Sequence, residues 1–171
     1  MKIKLQGGFT VIEIMVAIAL LAVMVTIGVP AFTSTINSNE TAAKSNAFLS
    51  ALKMARSEAT KRRQNIIVCA SNNQTDCASN SWSDGWIIFE DTDAGSDFDS
   101  GEEILDTYNL PTGFSVTRAA GGTDQIVFAS TGLSDSSVAQ AFTVCKANTT
   151  NGRQLTIDRS GLVTGTDVSC P

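Results

Sequence analysis

Between Ile14 and Phe32 the chain reads IMVAIALLAVMVTIGVPAF, a run with no ionisable side chain in which Thr26 is the clearly polar residue. No other feature restricts the fold as much. A helix rises about 1.5 Å per residue, so roughly 20 apolar residues cross the ~30 Å hydrocarbon of a bilayer. The run therefore predicts a membrane-spanning helix. Glu13 stands directly before it, in the order Gly8-Phe9-Thr10-Val11-Ile12-Glu13. A carboxylate at the mouth of an apolar span is costly to dehydrate and asks for a cationic partner. Lys2 and Lys4 make a short basic start, which is retained on the cytoplasmic side.

After Pro30 the pattern becomes amphipathic. Ile36, Ala43, Ala47, Phe48, Ala51, Leu52, Ala55 and Ala59 recur at three- and four-residue steps, with Asn37, Glu40, Lys44, Lys53 and Arg56 between them. Such a stripe packs on a domain. Glu58 and Arg62 have the favourable i,i+4 order. Unbroken from Phe9 to Arg63, the helix would be roughly 80 Å long. Pro30 denies one backbone donor and crowds the carbonyl of Thr26, and Gly28 loosens the same turn. A kink or melted turn is expected at 26–31.

From Asn65 onward, short β-branched and aromatic runs alternate with Gly, Asn, Asp and Ser clusters. They predict strands at 65–70, 85–90, 103–108, 114–118, 125–129, 141–146 and 154–158. Turns are expected at Thr123-Asp124, Thr131-Gly132 and Asn151-Gly152. The fold class is thus α+β: a long N-terminal α-helix, half transmembrane and half amphipathic, packed on an antiparallel β-sheet head.

A chain of 171 residues with formal charge −5 can bury one modest core beyond the anchor, and its acidity makes it a poor generic ligand for nucleic acid. Cys69, Cys77, Cys145 and Cys170 form no C-x-x-C pair, and there is no histidine. Zinc is therefore disfavoured, and an exported domain would form disulfides instead. Of the three possible connectivities, Cys69–Cys77 closes a short loop and Cys145–Cys170 ties the tail to a late strand, and this pair is favoured. Without histidine or a phosphate loop the chain offers no nucleophilic triad, and no enzyme is expected. The segment Asp91-x-Asp93-x-Gly95-x-Asp97-x-Asp99-x-x-Glu102 has the acid density of a calcium loop. An EF-type loop needs glycine at position 6, whereas Gly95 falls at position 5 and Ser96 at 6. A solvated hairpin loop is the stronger reading, and no metal or cofactor is assigned.

The stretch GGFTVIE, residues 7–13, resembles the class III signal of type IV pilins and type II secretion pseudopilins. An ordinary secretory signal would place its cut after the apolar run rather than before it. The resemblance implies that a prepilin peptidase cuts between Gly8 and Phe9 and that the new Phe9 amine is methylated. It also implies that Glu13 pairs with the N-terminal amine of a neighbouring subunit in the filament. Opposite charges attract strongly in a low-dielectric bundle, so this pair would set the axial register. A break near Pro30 is common in such filaments, which puts Pro30 beside Glu13 among the assembly residues. The cut would remove Lys2 and Lys4, leaving 10 basic against 17 acidic side chains.

Further along, Ala55-Arg56-Ser57-Glu58-Ala59, Cys69, Cys77, Trp82, Gly85-Trp86-Ile87-Ile88-Phe89-Glu90-Asp91 and Glu102-Glu103-Ile104-Leu105 resemble the GspH/FimT group of minor pilins. The implied organisation is a leader at 1–8, a transmembrane and filament-core helix at 9–32, and a globular head at 33–171 that includes the amphipathic helix half. The paired cysteines favour the pilus branch, FimT and FimU, over the secretion pseudopilin GspH. FimT-like members that bind DNA share a Gly-Arg-x-Arg motif. The matching place here reads Gly161-Leu162-Val163-Thr164, and Gly152-Arg153-Gln154-Leu155 keeps one arginine. Loss of two cations removes phosphate contacts, which disfavours DNA and leaves a FimU-like structural role. Lys61-Arg62-Arg63 reads better as a solvated helix end.

The resemblance thus implies a structural minor pilin that joins a priming or tip complex and connects it to other pilins. Its implied partners are other minor pilins, the major pilin and the prepilin peptidase. It would sit in the bacterial inner membrane with a periplasmic head, and then in the pilus. A DNA-binding pilin and a type II secretion pseudopilin are the competing readings.

Overall fold

The computed structural model describes residues 8–95, 97–120 and 124–171. Lys2, Lys4, Ser96 and Thr123 lie outside the described residues. Helix α1 covers Val11–Arg62. Thr10 caps it: its hydroxyl accepts the Glu13 N–H at 3.3 Å, and Thr10-Val11-Ile12-Glu13 has the residue spacing of a capping box. Lys61 and Arg62 fall in the last turn, where cations suit the exposed carbonyls. Arg63 ends the helix in the left-handed region at φ 59°.

The helix continues through 26–31, so the expected melted turn is not found. The missing donor of Pro30 forfeits one intrahelical bond. The flanking turns stay closed, and the hydroxyls of Thr26 and Thr33 donate to the carbonyls of Val23 and Val29, each at 2.9 Å.

The chain divides into two compact units, Met1–Asn37 and Ser38–Pro171. In the first, apolar side chains from Phe9 to Ile36 are exposed all round the helix. The second comprises the rest of α1 and strands β1 (Asn65–Ala70), β2 (Gly85–Asp91), β3 (Ile104–Asn109), β4 (Phe114–Arg118), β5 (Gln125–Phe128), β6 (Gln140–Lys146), β7 (Asn151–Ile157) and β8 (Val163–Ser169). They form two four-stranded sheets, ordered β3-β2-β1-β5 and β4-β6-β7-β8. Every pairing is antiparallel.

Periodicity explains how the helix meets both sheets. Phe48, Leu52, Ala55 and Ala59 are fully buried, as are Ile66, Val68, Ile88, Phe128, Phe142 and Leu155. Phe48 is the hub: its ring centroid lies 4.7 Å from that of Trp86, 5.6 Å from Trp82 and 5.4 Å from Phe142. The alanines let the helix backbone approach while Phe48 fills the space between the sheets. β1 and β2 read as nearly continuous apolar runs because both faces are covered. Ile67, Cys69, Ile87 and Phe89 make a second cluster on the far face, packed by Phe98, Cys77 and Ile104.

The sequence reading missed β8, whose VTGTDVS has no apolar alternation and sits at a sheet edge. The turn expected at Asn151-Gly152 does not form there. These residues instead open β7, pairing with Ser169 and Val168, and the chain reverses before them, where Thr149 N–H donates to the Lys146 carbonyl at 3.3 Å. The Thr131-Gly132 turn is present, closed by Gly132 N–H donating to the Ala129 carbonyl at 2.7 Å.

Candidate assembly residues and head surfaces

Gly8 and Phe9 precede the helix, both exposed, and Glu13 lies exposed in its first turn. Among the described residues, a Cβ added at Gly8 would meet nothing within 4 Å. Packing in this structure therefore does not demand glycine there. The backbone of Pro30 lies within α1. α1 contains a stretch long and apolar enough to cross a membrane, and none of that stretch is buried.

On the head, ion pairs lock the helix end to the first sheet. Arg62 Nε donates to Glu58 at 2.8 Å, and its Nη1 reaches Glu90 and Glu103, each at 2.6 Å. Lys61 adds a 3.1 Å bond to Glu58. Arg62, then Lys61, hold the Glu58 carboxyl below the usual carboxylate range. The three carboxylates, Glu58 first, push the Arg62 guanidinium further up. Arg62 is therefore already engaged by carboxylates, which takes the middle of the Lys61-Arg62-Arg63 run away from phosphate.

Arg56 has a role the sequence reading did not assign. Its Nε donates to the Gly132 carbonyl at 3.0 Å and its Nη2 to the Ser160 carbonyl at 2.9 Å. One guanidinium thus fastens two loops to the helix. Gly161 beside it holds φ +73°, and an added Cβ would come within 2.2 Å of the Gly132 carbonyl oxygen, so a side chain would break this approach. The segment compared with the DNA-binding motif lies here. Gly161 and Leu162 belong to the β7–β8 connection, while Val163 and Thr164 open β8. Arg153 sits within β7 opposite Asp167 and donates to Asn46 Oδ1 at 3.2 Å.

In the acidic loop, oxygens of Asp91, Asp93 and Glu102 converge within 4.8 Å of one another. Each carboxylate already accepts backbone N–H groups: Asp91 from Ala94 at 2.8 Å, Asp93 from Gly95 at 2.7 Å, and Glu102 from Thr92 and Asp99 at 3.0 Å each. Asp97 and Asp99 are not in the cluster. The acids order the hairpin's own backbone.

Cys69 is bonded to Cys77 and Cys145 to Cys170. The second bridge ties β6 to the chain end across 25 residues and lies over Gly152, where an added Cβ would be 2.4 Å from the Cys170 sulfur. Closing a loop of that length is typically worth about 2–4 kcal/mol. The double replacement Cys145→Ser, Cys170→Ser should lower the stability of the head by that amount in urea unfolding. A loss below about 0.5 kcal/mol would mean that the tail is fastened by other contacts.

Residues 44–161 match the family described as Type II transport protein GspH, and residues 3–29 match the prokaryotic N-terminal methylation motif. The type IV minor pilin FimU of Pseudomonas aeruginosa superposes with a TM-score of 0.58 at 21% identity, covering 74% of this chain and 87% of that one. The minor pseudopilin EpsH from the Type 2 Secretion System of Vibrio cholerae gives 0.55 at 12% identity, covering 74% and 96%. No curated protein was matched by sequence. At these identities the two structures speak for the fold alone. The family match spans the buried stripe of α1 from Lys44 and strands β1 to β7 of both sheets, so the chain belongs to the GspH family of minor pilins and pseudopilins, structural subunits with an apolar N-terminal helix and no enzymatic role.

Proposed function

We propose that this chain is a minor pilin held in the bacterial inner membrane by residues 9–32, with a periplasmic head, until it enters a type IV pilus. The prepilin peptidase removes residues 1–8, cutting between Gly8 and Phe9. In the filament it joins a priming or tip complex and connects that complex to other minor pilins and the major pilin. One observation carries the reading: a helix apolar on every side, exposed along its first unit, continues into a GspH head. Apolar area on that scale is stable when covered by lipid or by other such helices. Burial of the helix supplies most of the assembly energy, and the head decides which neighbour is accepted. The Pro30 turn absorbs bending as the helix moves from bilayer to filament.

Glu13 then answers the Phe9 amine of the adjacent subunit. Glu13→Ala should leave membrane insertion unchanged and reduce recovery in sheared filaments by at least tenfold, because an uncompensated amine is stranded in an apolar bundle. Wild-type recovery would remove Glu13 from the mechanism. Recovery in a secretion pseudopilus instead of a pilus would assign the chain to the other machine.

A DNA-binding role has less support. Arg62 is held by carboxylates, Arg56 by loop carbonyls, and Leu162 and Thr164 stand where cations would be needed. Duplex DNA titrated with the head at near-physiological salt should show weak binding that falls steeply as salt rises. Tight binding there would make the protein a DNA receptor, with Lys53, Arg153 and Arg159 as the first residues to replace.

A further inference from the structure

β8 is the outer strand of the second sheet and pairs with β7 along its length. Cys170 N–H donates to the Thr150 carbonyl at 2.9 Å and Asp158 N–H to the Leu162 carbonyl at 3.1 Å. Both bonds fall in step with the pairs Thr164–Thr156, Thr166–Gln154 and Val168–Gly152. Hydrogen-bonded and non-bonded pairs alternate in an antiparallel ladder. Val163, Gly165, Asp167 and Ser169 therefore turn N–H and C=O away from β7, and among the described residues nothing bonds to those groups.

The other outer strands are covered or interrupted. Ser83 exchanges hydrogen bonds with the backbone of Val116 on β4. β5 is four residues long, and its Val127 carbonyl accepts from Asp135. β3 carries a register shift opposite Ile88 and Phe89. β8 has seven residues with no proline, lysine or bulge, although proteins ordinarily blunt such edges.

Grooves lie between α1 and both ends of this strand. Lys53, Arg56, Thr60, Leu162 and Val163 help line one of about 440 Å³. Ser38, Asn39, Arg153 and Asp167 help line the other, of about 530 Å³. Arg153 Nε is buried without a hydrogen-bond partner. Asp167 Oδ1, at 4.0 Å, is beyond hydrogen-bond reach. Lys53 is exposed. On a chain of charge −5 these grooves hold Lys53, Arg56 and Arg153 against Asp167, a local cationic excess.

We propose that the bare edge of β8 accepts an extended, acid-bearing segment of a neighbouring pilin of different sequence, as a fifth strand on this four-stranded sheet. The proposal rests on the minor-pilin reading above. Alternating donors and acceptors at strand spacing are matched by another extended backbone. A carboxylate of that segment meets the solvent-facing part of the Arg153 guanidinium, whose side chain is 29% exposed, and another meets Lys53. A two-fold pairing of this chain with itself would instead bring two Asp167 carboxylates to one sheet.

Residue-resolved hydrogen exchange of the full chain, alone in detergent and then within filaments assembled with its co-expressed pilins, tests this. Thr166 and Val168, bonded to β7, should exchange slowly in both states. Gly165, Asp167 and Ser169 should be fast in detergent and at least 100-fold slower in filaments. Asp167→Pro removes an outward donor without losing a β7 bond, and Asp167→Asn keeps it. Both should retain the two disulfides and melt alike, and the proline variant should enter filaments roughly tenfold less than the asparagine variant. Filaments that contain the chain with its outward amides still fast would overturn strand addition and leave the minor-pilin reading standing. Equal entry of the two variants would do the same. Protection that already appears in detergent as concentration rises would show self-pairing and overturn the heteromeric partner. Absence of the chain from filaments would overturn both readings.

Discussion

A head carrying Phe48→Ala should unfold about 3–5 kcal/mol more easily than the wild type, the range for emptying a large aromatic site. Phe48 is fully buried, and its ring sits between Trp86 on the first sheet and Phe142 on the second. Removing it takes away the side chain through which the helix holds both sheets at once. The site collapses poorly, because its neighbours on the helix face are Ala51, Leu52 and Ala55, and its wall is made of large rings already in contact, Trp82 with Phe142 at 5.0 Å. Domains of this size are stable by about 5–15 kcal/mol, so the variant would keep a small margin. Urea unfolding of residues 38–171, a unit with its own core and both disulfides, reads the difference directly. A loss under about 1 kcal/mol would show that the aromatic cluster is not the centre of the core.

The largest functional effect should come from Gly8. A bulky replacement such as Gly8→Val should leave the full-length precursor in the membrane, with no mature form in its mass spectrum and no subunit in filaments. The structure isolates the cause, since the position is exposed and a Cβ there would touch none of the described residues. Folding and insertion should therefore be unaffected, and the loss would report on fit into the peptidase. A normal mature mass would refute the leader assignment. Intact precursor with wild-type filament entry would show that cleavage is not needed for assembly.

Much of this molecule was legible without coordinates, and the reason is locality. The apolar run from Ile14 to Phe32 declares a membrane-length helix by composition alone. The three- and four-residue spacing of Phe48, Leu52, Ala55 and Ala59 marks the face that later proves buried. β1 and β2 announce themselves through β-branched and aromatic runs between Gly and Asn clusters. Each of these signals lies within one segment, where side-chain period and backbone geometry are tied together.

By itself, then, the sequence determined a helix-plus-antiparallel-head chain with a pilin-type N-terminus, because those properties are written in contiguous residues. Tertiary structure alone decided the rest. It split the strands into two sheets, set Arg56 against the carbonyls of Gly132 and Ser160, and turned β8 into an uncovered edge. VTGTDVS carries no alternation to reveal a strand, because what holds it is a register with β7 rather than a face of its own. Arg56 looked like any helix cation until loops 76 and 104 residues away closed on it. Register and edges arise from pairing between distant segments, and no local pattern encodes which groups are left unpaired once those pairings are made.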